Sequence, residues 1–266
     1  MTTPSFEDTA TLDEFFIKGR NMWPDLRELR TLQLDRSRVD DRIVRFLRST
    51  ALNEHGIVHY VKGYFRAYGD DYKLAIWAAM WGGEEYLHSI VLRLILRGLG
   101  EEISGQEYRG LEQGAYAERY DAYLEGKRLP GVSRRMQQLV YGVVQEFAAV
   151  IAYRSVADAC DEPVVARLLR RIAKDEMRHC RFFQLCLEAY CEHCPPAERA
   201  LVWDQFNTLF KDFRMPQEHI EMFGEFDMGT DLYTSFWTPE HRSRIILFLT
   251  RYFRQYRQPA AAVAGA

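Results

Sequence analysis

Trp81-Gly-Gly-Glu84-Glu85-Tyr-Leu-His88 and Ile172-Ala-Lys-Asp175-Glu176-Met-Arg178-His179 contain the two E-x-x-H sequences of this 266-residue chain. On a helix, residues three apart share a face about one turn from each other, so a Glu and a His at that spacing can grip one cation together. Outward from the first segment, Trp77, Trp81, Glu85, His88, Leu92 and Ile95 fall on one helical stripe. Outward from the second, Val165, Leu169, Ile172, Glu176, His179 and Phe183 do the same. Both stripes are apolar except at their centres, where carboxylate and imidazole take positions suited to leucine. Buried charge of that kind is costly unless something compensates it.

The helix before each pair carries one lone Glu in an apolar stripe. Glu54 sits among Leu47, Ile57, Val58 and Val61, and Glu146 among Leu139, Val143, Ala149 and Val150. Glu54 precedes Glu85 by 31 residues and Glu146 precedes Glu176 by 30. The chain therefore holds two similar helix pairs, each offering Glu and then Glu-x-x-His. Facing each other, they supply four carboxylates and two imidazoles, the donor set of ferritin-like di-iron and di-manganese bundles. A lone E-x-x-H is usually an exposed salt-bridging pair. Two of them on apolar stripes, each matched to an inward Glu, need two divalent cations to neutralise the carboxylates. Carboxylate with imidazole suits iron or manganese, whereas a softer metal would want thiolates. Glu54, Glu85, His88, Glu146, Glu176 and His179 are the expected ligands. The acids just before the ligand glutamates are assigned to orient the imidazoles across facing helices, Asp175 acting on His88 and Glu84 on His179.

The expected fold is all-α: one domain over residues 1–266, a ferritin-like four-helix bundle with additional flanking helices. An N-terminal arm runs to residue 39, with Trp23-Pro24 opening a short helix. Long helices are expected from Asp41 to Tyr68, from Asp71 to Gly98, from Ser133 to Asp161 and from Pro163 to just before Pro195. Shorter ones are expected at Leu111 to Leu124, Ala197 to Phe213 and Pro239 to Tyr256, with a disordered tail over 258–266.

Hydrophobic residues at 47% and aromatics at 14% exclude a disordered chain. The net charge of −3 is spread over interspersed acids and bases, which gives no sign of a nucleic-acid partner. No apolar run nears the ~20 residues a membrane span needs, the stretch from Ile90 to Leu99 being broken by Arg93 and Arg97. A secretory signal is not apparent, so a cytoplasmic location is expected. Cys160, Cys180, Cys186, Cys191 and Cys194 are expected to be free thiols. The C-x-x-C of Cys191 and Cys194 lacks the second pair of a zinc site and reads as packing. His55, His59, His193, His219 and His241 read as surface or packing residues.

The residues resemble those of the soluble acyl–acyl-carrier-protein desaturases of plants and actinobacteria. Residues 81–88 look like that family's W-x-x-E-E-x-x-H segment, and residues 172–179 like its I-A-x-D-E-x-R-H segment. Gln145-Glu146 matches a Q-E on the intervening helix and Glu54 matches the first ligand; the likeness covers roughly residues 20 to 190. The resemblance implies a homodimer with two iron ions, O2 as co-substrate and electrons from a ferredoxin-type donor. Its reaction places a double bond in a saturated chain carried on acyl carrier protein. Arg20-Asn-Met-Trp23-Pro24 resembles a family segment whose Trp lies on an electron route, which would here run through Trp23, Asp175 and His88.

Two departures stand out. Ala149 replaces a Thr that the plant enzymes carry near the oxygen pocket, and the chain is shorter than theirs. They keep an alternative open, a di-iron oxygenase that hydroxylates or N-oxidises a carrier-bound or small natural-product intermediate. A radical-generating subunit would want a tyrosine near the metals, and Tyr141 and Tyr153 are the nearest in sequence. Iron storage is disfavoured by the extra helices after residue 196. An acidic carrier protein would want a basic patch; Arg251, Arg254 and Arg257 form one cluster, and Arg167, Arg170, Arg171 and Lys174 another. Neither is assigned.

Overall fold

The computed structural model describes residues 29–68, 71–108, 116–213, 236 and 238–257, and among these residues it contains helices and no strand. Trp23 lies outside them, as do the N-terminal arm before residue 29, His219 and the tail from 258.

The expected helix from Asp41 to Tyr68 is two helices, α1 (Asp41–His55) and α2 (Ile57–Tyr68). Gly56 breaks it one residue beyond His55, its N–H donating to the carbonyls of Leu52 and Asn53 at 3.0 Å. Glycine loses more freedom in a helix than any other ordinary residue, which makes it a natural point of interruption. Helix α3 (Tyr72–Gly98) starts where the Asp71 carboxylate accepts the Leu74 N–H. Helix α4 (Tyr116–Lys127) falls within the long connection and ends three residues past the expected Leu124; the expected start at Leu111 lies outside the described residues. Helix α5 (Arg134–Ala159) is capped by the Ser133 hydroxyl, which accepts the Met136 N–H at 3.1 Å. Helix α6 (Pro163–His193) has proline in its first turn, where no N–H is missed, and the Glu162 carboxylate accepts the Val165 N–H at 2.7 Å. The expected helix from Ala197 to Phe213 is also two, α7 (Pro196–Arg199) and α8 (Val202–Phe213). Helix α9 (Pro239–Phe253) opens with a reciprocal cap between Thr238 and His241.

Helices α5 and α6 share the most extensive interface, α1 and α2 both pack on α3, and α3 meets α6. Close approaches depend on missing side chains. A Cβ on Gly142 of α5 would run into the Phe183 ring of α6, and one on Gly82 of α3 would strike Val61 of α2. Helices α8 and α9 cover α5, with Phe147 and Phe248 stacked at 3.7 Å between centroids. Helix α5 corrects the reading of the longest apolar stretch. By length and composition it could cross a membrane, but 83% of its most apolar window is buried within the protein, so it is the central core helix.

The core divides into two apolar clusters. One includes Tyr64, Trp77, Trp81, Leu139, Val143 and Phe183. The other includes Phe46, Leu47, Leu92, Ile95, Leu169 and Ile172. Helix α3 leaves the first cluster after Trp81 and enters the second near Val91, while α6 runs from the second to the first. Both E-x-x-H segments therefore lie at the junction, walled by apolar side chains on either side. Val58 departs from its expected inward place and is exposed.

Candidate metal centre

The six expected ligands come together at this junction, and all are buried. Their donor atoms form two groups, Glu54 with Glu85, His88 and Glu176, and Glu85 with Glu146, Glu176 and His179. Within each group the atoms lie within 4.8 Å of one another. The sequence divides the ligands into halves by chain order, whereas in space Glu85 and Glu176 belong to both groups. Glu85 turns Oε2 to His88 Nδ1 at 3.2 Å and Oε1 to His179 Nδ1 at 2.7 Å. Glu176 turns Oε1 to His88 Nδ1 at 3.2 Å and Oε2 to His179 Nδ1 at 3.3 Å. Glu54 and Glu146 stand at opposite ends, each in one group only.

The other imidazole nitrogens face the second pair of acids. His88 Nε2 lies 3.4 Å from Asp175 Oδ2, and His179 Nε2 lies 2.7 Å from Glu84 Oε2. A carboxylate can only accept, so Nε2–H donates in each case and leaves Nδ1 for the side where the glutamates converge. Arg178, quoted above within a motif without a role, reaches the Glu84 carboxylate and lies 3.5 Å from Asp175 Oδ1. It thus joins the two acids that face the imidazoles. Its signal was its place three residues after Asp175, on the same side of α6.

Tyr153, one of the two tyrosines nearest the ligands in sequence, reaches the site. Its hydroxyl donates to Glu54 Oε1 at 2.8 Å across 99 residues of chain. Of the other histidines, His55 packs its ring against Tyr108 at 4.7 Å and His59 is buried, and neither stands in a ligand group. Cys180 is buried against the Val143 carbonyl, and Cys191 and Cys194 are buried free thiols, burial pushing Cys191 up to about 12.

The electrostatics show what such a cluster demands. Burial, reinforced by the charges of Glu85 and Glu176, pushes Glu54 well above the usual carboxyl range. Burial, reinforced by the Glu85 charge, does the same for Glu146. Burial alone would lower both imidazoles, but Glu176 beside His88 and Glu85 beside His179 override it and raise them. Burial is likewise overridden at Glu85 and Glu84 by His179, and at Asp175 by His88, so these three carboxyls are held low. Shifts in these directions let protons offset part of the cluster's charge. Glu146 Oε1 is buried without a hydrogen bond, and Glu85 Oε1 and Glu176 Oε1 have only the imidazole Nδ1 atoms beside them. An unsatisfied buried carboxylate oxygen, two imidazole nitrogens and shared glutamates fit a pair of hard-to-borderline divalent cations.

A protein-family model described as fatty acid desaturase matches residues 25–245. Two proteins of Mycobacterium tuberculosis, from strains CDC 1551 / Oshkosh and ATCC 25618 / H37Rv, are each 31% identical to the chain over 111 residues. Both carry the provisional name acyl-acyl-carrier-protein desaturase DesA2. The shared stretch is 40% of this chain and 36% of each relative, so the chain matches little more than a third of their length.

Proposed function

The chain belongs to the fatty acid desaturase family, and from that premise we propose that it inserts a double bond into a saturated acyl chain carried on acyl carrier protein. In this reading the reaction consumes O2 and takes electrons from a ferredoxin-type donor through two iron ions. The observation that carries it is the pair of four-residue groups sharing Glu85 and Glu176.

Glu54, Glu85, His88 and Glu176 would hold one ion, and Glu85, Glu146, Glu176 and His179 the other. Iron held there supplies redox chemistry towards an unactivated C–H bond that side chains alone do not. Asp175 and Glu84 keep a proton on each Nε2 and so aim each Nδ1 lone pair inward. The flanking apolar clusters exclude water, which protects a reactive centre from side reactions. A homodimer belongs to the same reading, supported by Val58, Phe65, Tyr72, Ile76 and Met80, which α2 and α3 leave exposed. Its direct check is the mass of the particle in solution.

One residue favours a second reading. Ala149, half-buried three residues after Glu146, offers no hydroxyl where the plant desaturases carry Thr. A di-iron oxygenase acting on a carrier-bound or small natural-product intermediate would use the same six ligands. The two readings separate by product mass after reduced, iron-loaded protein meets O2 and acyl carrier proteins bearing chains of several lengths. Desaturation removes about two mass units and oxygenation adds about sixteen. No product from any carrier-bound chain would sink the first reading.

A further inference from the structure

The two ligand groups are alike in composition but not in surroundings. Glu54 accepts a hydrogen bond on Oε1 from the Tyr153 hydroxyl at 2.8 Å. Glu146, its counterpart in the other group, has Oε1 buried without a hydrogen bond, while its Oε2 lies 3.7 Å from His179 Nδ1. Tyr153 is itself held in place. It is buried on α5, and its ring meets Phe46 of α1 edge to face at 5.9 Å between centroids. The phenol is thus braced by the helix that carries Glu54, and it has little freedom to swing away.

We infer that Tyr153 is a positioning residue that makes the two metal pockets unequal, fixing Glu54 Oε1 by a phenol hydrogen bond while Glu146 Oε1 has no such donor. The inference rests on the di-metal reading given above. A phenol O–H donated to a carboxylate is a strong, directional bond, and it sets the plane of the acceptor. With Oε1 engaged, Oε2 is the oxygen of Glu54 left to bind an ion beside His88. Glu146 carries no such restraint and can present one oxygen or two. One pocket is then preorganised with a single terminal oxygen and the other is adjustable. The pockets should therefore differ in affinity and in the number of positions left open for other ligands.

Cobalt(II), whose visible bands report its coordination, is the probe, added without oxygen to metal-free protein. Wild type should take up two equivalents in two distinguishable steps. Tyr153→Phe keeps the ring and removes only the hydroxyl. It should weaken one equivalent by about 10- to 100-fold and leave the other unchanged. A purely structural role would lower the melting temperature and affect both equivalents alike, so uniform weakening overturns the inference. So does a variant that binds both equivalents as wild type does. Two identical steps in wild type overturn it without recourse to the variant. Failure of wild type to bind cobalt at all would instead overturn the metal centre, and this proposal with it.

Discussion

Glu85 and Glu176 each turn one oxygen to His88 and the other to His179. An ion beside either imidazole would therefore meet both glutamates, whereas Glu54 and Glu146 would each meet only one. Loss of Glu85 or Glu176 by substitution with Ala should deplete both ions. Loss of Glu54 should deplete one. Metal analysis after loading checks this: Glu85→Ala and Glu176→Ala proteins that both retained two ions would refute the ligand assignment.

The pH behaviour of the metal-free protein should be the reverse of the usual one. Glu54 and Glu146 are raised above an ordinary value of 4.5, and His88 and His179 above 6.5. Above those values each group holds more protons folded than unfolded, so stability falls as pH rises. Glu84, Glu85 and Asp175 are held low, and the stability they add is lost only as pH falls below 4.5 for the glutamates and 3.8 for the aspartate. Metal-free protein should then melt at a higher temperature near pH 6 than near pH 8. Metal binding displaces those protons, so affinity for the ions should rise over the same interval. A metal-free melting temperature that climbs from pH 6 to pH 8 would contradict this account of the charge balance.

Glu84→Gln and Asp175→Asn test the outer carboxylates. Each should weaken metal binding by about 10- to 100-fold while leaving the helical content intact. Chelator competition measures the first and circular dichroism the second. Unchanged affinity in both variants would show that the contacts at 2.7 Å and 3.4 Å do not orient the imidazoles for a metal.

Two glycines should respond in opposite directions to alanine. Gly142→Ala drives a methyl into the Phe183 ring and should cost about 1–3 kcal/mol. A Cβ on Gly83 meets nothing within 4 Å, so Gly83→Ala should add about 0.5–1 kcal/mol through helix propensity. Urea unfolding distinguishes the two. Equal effects would argue against the close packing of α5 on α6.

Much of this was legible in the sequence because helix periodicity is local. Glu85 with His88 and Glu176 with His179 stand out against apolar stripes, and the matched spacing brings in Glu54 and Glu146. What periodicity could not convey is how two halves interlock, so the sharing of Glu85 and Glu176 emerges only in three dimensions. Tyr153 stands out in the sequence only as one of two tyrosines near the ligands, since a hydrogen bond spanning 99 residues leaves no local trace of its partner. The interruption at Gly56 was missed for a related reason, because a single glycine inside a helical pattern is often tolerated. Trp23 lies outside the described residues, so the electron route drawn through it stays an analogy.

The most direct test of the central claim is anomalous X-ray diffraction at the iron edge from iron-loaded crystals. The account predicts two peaks, both between Glu85 and Glu176, one beside Glu54 and His88 and the other beside Glu146 and His179. A single peak, or iron bound away from these six side chains, would contradict it.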